Sequence, residues 1–171
     1  HLAHVHTVGY DSGAMTRRLG EDKVHFLPFL PQPPRLRFAP RLKRIVGRRL
    51  RRNSAFLWPL DSWYDDRFTD LLRALQCKHE FEVIVVTYVF MSKAFDAFPA
   101  TCLRVLDTHD RFGQRHREFI KVGLRPRWFS TTFEEEERGF RRADVVLAIQ
   151  PEEAEEFRKR LGSGPPEVLN V

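Results

Sequence analysis

Three apolar runs, separated by segments of helical pattern, constrain the fold of this chain more than any other feature. They are Phe81-Glu82-Val83-Ile84-Val85-Val86-Thr87-Tyr88, Leu103-Arg104-Val105-Leu106 and Ala143-Asp144-Val145-Val146-Leu147-Ala148-Ile149. Near-continuous apolar runs of this length read as buried strands of a parallel sheet, whose members must be joined by crossovers, usually helices. The pattern therefore predicts an α/β fold: a Rossmann-like open, mainly parallel sheet flanked by helices, with right-handed crossovers. A chain of 171 residues fits a single such domain with a real core.

The rest of the chain fills in around those runs. Val5, Thr7 and Val8 suggest a strand or strand end, Asp11-Ser12-Gly13 a turn, and Met15 to Leu19 a short helical turn. Val24 to Leu30 is a second strand candidate, ended by Pro31, Pro33 and Pro34, which cannot donate to a central ladder. Trp58 to Gln76 reads as a helix with Asp61 as its N-cap and Phe68, Leu71, Leu72 and Leu75 as its apolar stripe. Further helices are expected over 92–98, closed by Pro99, and over 115–122, ending at Gly123. An acidic helix departs from Ser130-Thr131-Thr132, with Glu134–Glu137 in its first turn and Arg138, Arg141 and Arg142 in its last, as the helix dipole prefers. Pro151 opens another helix through Leu161, and Val168–Val171 begins a final strand.

A net charge of +6 and a pI near 9.7 call for an anionic partner. The charge is concentrated over residues 35–52, where Arg41, Lys43, Arg44, Arg48 and Arg49 sit in a block without a single acid. Leu42, Ile45, Val46 and Leu50 recur through it at helical spacing, a pattern that fits a basic amphipathic helix on an anionic membrane surface. A solvated helix whose stripe packs on the domain is the next reading, and nucleic-acid binding the third. No stretch approaches the roughly eighteen apolar residues of a membrane-spanning helix, and no secretory pattern opens the chain. The expected location is cytoplasmic, peripheral at the inner face of the membrane.

Val105-Leu106-Asp107-Thr108-His109-Asp110-Arg111, followed by Gln114-Arg115, packs two carboxylates, a histidine and two arginines directly behind a strand. Ligands of open α/β sheets bind just past the carboxyl ends of the strands, so this segment is the candidate site. The plainer reading of His109 is a polar residue capping the following helix. Tyr88 ends a strand beside the same edge; Gln150, Glu152 and Glu153 follow another and either line the cleft or cap the next helix.

Together these pieces resemble the N-terminal half of retaining GT-B glycosyltransferases, closest to glycosyltransferase family 4, which builds bacterial surface glycans and glycolipids. The resemblance rests on Asp107-Thr108-His109-Asp110, then Arg115, Trp128-Phe129, Glu134–Glu137, and Ala143 to Gln150 with Glu152-Glu153-Ala154, in order over residues 55–171. It implies one half of a GT-B fold that holds a glycan or lipid-linked acceptor, while a C-terminal GT-B domain, outside this chain, binds most of the nucleotide sugar. It also implies His109 near the donor sugar, with Arg111 and Arg115 facing phosphate and Asp107 and Asp110 orienting His109 or binding hydroxyls. Tyr88, Gln150 and Glu153 would contact substrate. The donor is a substrate, and no cofactor or metal is expected. The family's first strand and Gly-rich loop have no counterpart here, so the isolated half is expected to be inactive. A non-catalytic domain binding a sugar or phosphate ligand is the alternative, with a basic nucleic-acid-binding module as a further rival.

The remaining polar residues read plainly. Cys77 and Cys102 lack metal-ligand spacing and fit two reduced thiols. His1, His4 and His6 read as incidental, His116 as a surface residue between Arg115 and Arg117, and Glu134–Glu137 as a solvated helix start. Trp58, Trp63 and Tyr64 read as core in preference to an acceptor groove. No Ser/His/Asp triad, Walker loop or zinc spacing is present.

Overall fold

A computed structural model describes residues 2–6, 12–28 and 53–171 of the chain. The basic block with Arg41, Lys43, Arg44, Arg48 and Arg49 lies outside the described residues, as do most of the proline-rich residues before it.

The predicted α/β class holds. Strand β1 (Leu2–His6), helix α1 (Ser12–Leu19) and strand β2 (Val24–Pro28) form one βαβ unit, with β1 and β2 parallel. Beyond them come α2 (Asp66–His79), β3 (Val83–Thr87), β4 (Leu103–Asp107), α3 (His116–Lys121), α4 (Phe133–Phe140), β5 (Val145–Ala148), α5 (Pro151–Leu161) and β6 (Glu167–Asn170). Strands β3, β4, β5 and β6 lie side by side in chain order, all parallel, in a four-stranded sheet compatible with a Rossmann-like open fold. The β1–β2 pair forms a separate two-stranded sheet.

Register explains the core. Val86, Leu106, Val146 and Val168 are paired across the four strands and point to one face, where each is buried. Five phenylalanines, Phe95, Phe112, Phe129, Phe140 and Phe157, complete this core with no more than a trace of exposure. The alternate residues point the other way, onto a face that the described residues leave largely exposed. Val83 is 53% exposed, Val85 61% and Leu103 44%. The apolar run of β3 reads as a strand covered on both sides, the usual state of parallel strands, but the described residues cover only one side.

Several local expectations shift. Asp61 does not cap a long helix; Asp65 caps α2, accepting from the Arg67 backbone N–H at 3.0 Å. Asp61 instead sits in a 3-10 turn, Leu60–Trp63, and its carboxylate takes both ends of the Arg142 guanidinium at 2.6 and 2.8 Å. Asp61 stands several residues ahead of α2, whereas Asp65 directly precedes it and takes the cap. Ser12 and Gly13 belong to α1 rather than to a turn before it. The helix expected over 92–98 is a 3-10 helix spanning Val89–Ala97. Its three-residue repeat lines up Val89, Ser92 and Phe95 in one fully buried row, which an α-helix would spread around its circumference.

The two faces of β3 give a direct test. Val86→Ala should cost about 2 kcal/mol in a denaturant titration, because a buried branched side chain is lost. Its neighbour Val85→Ala should stay within about 0.5 kcal/mol of wild type.

Candidate functional site

The carboxyl ends of β3, β4 and β5 gather most of the expected site residues. Strand β4 ends at Asp107; the Thr108 hydroxyl and backbone N–H both donate to the Leu147 carbonyl of β5, at 2.9 and 3.1 Å. Thr108 is fully buried, so the chain is anchored immediately before it turns. His109 then takes a left-handed conformation, φ 54°, which non-glycine residues seldom adopt. Tyr88 (φ 71°) and Gln114 (φ 57°) also have positive φ, and Glu80, at the end of α2, is the only other non-glycine residue that does among those described. Strained backbone persists only where surrounding bonds over-determine it, and it concentrates at functional sites.

Asp107 supplies much of that constraint. One oxygen accepts from the His109 backbone N–H at 3.4 Å, and the other lies 3.2 Å from Nε2 of the same residue. The Tyr88 ring tilts over the imidazole with 5.2 Å between centroids, and it stacks in turn on Phe90. The imidazole side chain remains 49% exposed. It is held in place and open to solvent at once.

The two arginines are engaged with acids. Arg115 Nη1 lies 2.9 Å from the Asp110 carboxylate, an ion pair rather than an aligned hydrogen bond, and its guanidinium covers the Phe112 ring. Arg111 pairs with Glu156 of α5, and its charge also acts on the Glu153 carboxyl. Burial pushes the Glu153 carboxyl above the usual glutamate range, against the opposing pull of Arg111. Glu153 Oε2 has no hydrogen-bond partner among the described residues. Gln150 stands at the exposed start of α5 without a side-chain capping bond. Asp107, His109, Tyr88, Asp110, Arg111, Arg115 and Glu153 thus form one connected edge, with Gln150 at its rim.

Two residues set aside in the sequence are central to this edge. The Glu134–Glu137 run is not simply a solvated helix start, because Glu136 is fully buried. Its Oε1 accepts from the backbone N–H groups of Phe112 and Gly113 at 2.6 and 2.8 Å, and its Oε2 pairs with Arg160 at 2.7 Å. Burial pushes this carboxyl above the usual glutamate range, opposed by Arg160 and the two backbone donors. Gly113 must be glycine there, since a Cβ would stand 2.5 Å from a Glu136 oxygen. The signal was present in the spacing: Glu136, Gly139 and Phe140 lie on one side of α4, and all three are buried.

His116 is also buried, at 1% exposure, contrary to the surface expectation. Its Nδ1 lies 2.9 Å from the Ser130 hydroxyl, and its ring stacks on Phe56. Position on α3 turns it inward while Arg117 faces out. Burial, with Arg117 adding to it, lowers its pKa below the ordinary 6.5. Trp58, Trp63 and Tyr64 pack against the core as expected. Cys77 and Cys102 are free thiols, and no metal-binding group of His, Cys, Asp or Glu occurs among the described residues.

Comparison with known proteins gives no match: no family model, no curated protein and no solved structure matches this chain.

Glu136→Ala should destabilise the fold by about 3 kcal/mol in denaturant, since it leaves two buried N–H donors unanswered and takes from Arg160 its one fully buried partner. The lowered pKa of His116 means that the unfolded chain binds a proton before the folded one does. Stability should therefore decline as pH falls below 6.5. His116→Gln should flatten that part of the melting-temperature profile; an unchanged slope would assign it to another group.

Proposed function

We propose that this chain is the acceptor-side half of a retaining GT-B glycosyltransferase of the family 4 type, transferring sugar from a nucleotide sugar to a lipid-linked or polysaccharide acceptor. The observation that carries the reading is His109: a strained, solvent-open imidazole at the carboxyl end of a central parallel strand, gripped at two points by Asp107. Asp107 stands 3.2 Å from Nε2 without an aligned hydrogen bond, and the half-exposed ring offers a nitrogen to a sugar hydroxyl, which can act as donor or acceptor toward it. A group fixed in this way holds the donor sugar without reorganising during the reaction.

The surrounding charges suit the same ligand. Arg111 and Arg115 are paired with single carboxylates, so each keeps N–H donors for a phosphate. Glu153, half-buried with a raised pKa and a buried oxygen that lacks a partner, would take an acceptor hydroxyl that reaches this edge. The absence of a membrane-spanning helix among the described residues is compatible with peripheral attachment, which the basic block at residues 41–49 would provide.

The test uses the full protein, a panel of radiolabelled nucleotide sugars, and glycan or lipid acceptors. His109→Ala should cut kcat/KM by about a hundredfold or more with little change in melting temperature. No transfer from any donor, combined with a melting shift on adding free sugars or phosphates, would retire the enzyme reading in favour of a binding domain.

A further inference from the structure

The loop leaving α3 has a composition and exposure that the sugar-transfer reading does not use. Gly123, at φ 73°, ends the helix, and its N–H together with that of Leu124 closes back on the Ile120 and Phe119 carbonyls. The side chains around this turn are held outward. Val122 is 70% exposed, Leu124 59% and Trp128 49%, three of the large apolar side chains that the described residues leave in solvent. Between and beside them stand Lys121, Arg125 and Arg127, all exposed. Lys121 pairs with Glu118, whereas Arg125 and Arg127 have no carboxylate partner among the described residues.

Neither a solvated loop nor a core-packing loop needs this arrangement. Exposed apolar side chains cost free energy unless something covers them, and unpaired cations invite an anionic surface. Trp128 adds a geometric detail. Its ring is braced edge-on against Trp63 with 5.6 Å between centroids, so it projects from a rigid aromatic base. The base forms a pocket of about 440 Å³ including open solvent, in which Arg125, Pro126 and Arg127 complete the lining with Phe56 and Trp58. Amphipathic tryptophan beside arginine is the pairing that settles at the boundary between lipid headgroups and acyl chains.

We propose that the loop Lys121–Trp128 is a docking site for an anionic phospholipid bilayer, with Val122, Leu124 and Trp128 entering the interface and Arg125 and Arg127 taking headgroup phosphates. The loop continues into Ser130-Thr131-Thr132. Thr131 is bridged to Gly113 and accepts from the Gln114 N–H at 2.7 Å. Docking would therefore hold the His109 edge close to the membrane, and this geometry stands whatever chemistry that edge performs.

The experiment is co-sedimentation of the full chain with vesicles of equal parts phosphatidylcholine and phosphatidylglycerol, and with phosphatidylcholine alone. Wild type should bind the anionic vesicles and not the neutral ones. Arg125→Glu with Arg127→Glu should lower partition about thirtyfold. Val122→Ser with Leu124→Ser, at positions that carry no core packing, should lower it about tenfold. Equal binding of wild type and both variants would overturn the proposal and leave attachment to another part of the chain. Binding to neutral vesicles as well, or to single-stranded RNA without vesicle binding, would also overturn it.

Discussion

A carboxylate with no access to water joins three separate parts of this protein. Glu136 reaches from α4 to the backbone N–H groups of Phe112 and Gly113 on one side and to Arg160 of α5 on the other. Arg160 extends the network to Glu137 and Glu156, and Glu156 also holds Arg111. Burying a charge is costly unless every lone pair is answered, and here both oxygens are. The loop after β4 is consequently pinned from behind, which is what lets the chain turn through His109 and Gln114 in conformations it would otherwise avoid. The candidate site depends on that pin.

The rest of the edge follows from one-sided packing. The row Val86, Leu106, Val146 and Val168 rests on a layer rich in phenylalanine, and that layer continues as Phe90, Phe112 and Phe129 beneath Tyr88 and Trp63. Aromatic rings meeting edge to face are stiff supports. They brace the His109 ring through Tyr88 at one place and the Trp128 ring through Trp63 at another. The two exposed groups therefore stand on one continuous aromatic base. The sheet's other face is left with Val83, Val85 and Leu103 in solvent.

Much of this was legible in the chain. The strand runs, the parallel arrangement, the break at Gly123, the Thr132–Glu135 start of α4 and the proline at the start of α5 all follow from local chemistry. So did the gathering of Asp107, His109, Asp110, Arg111 and Arg115, because neighbours in sequence stay neighbours at a strand end. Burial of charged and polar groups was harder to see. Glu136 sits in a run of four glutamates and His116 between two arginines, and average hydrophilicity outweighed the single position that turns inward. Asp61 misled for a related reason: an acid ahead of a helical stripe signals a cap, but its partner Arg142 lies far away in sequence.

The sequence by itself determined the element types and the polar segment behind β4, since apolar periodicity and turn chemistry act over a few residues. Only the tertiary structure decided which polar side chains would lose water and which apolar ones would keep it. Glu136 is buried because Arg160 and two backbone donors arrive there from elsewhere in the chain, and Val85 is exposed because nothing among the described residues arrives. Both outcomes depend on long-range partners, whose arrival at a given residue no local pattern records.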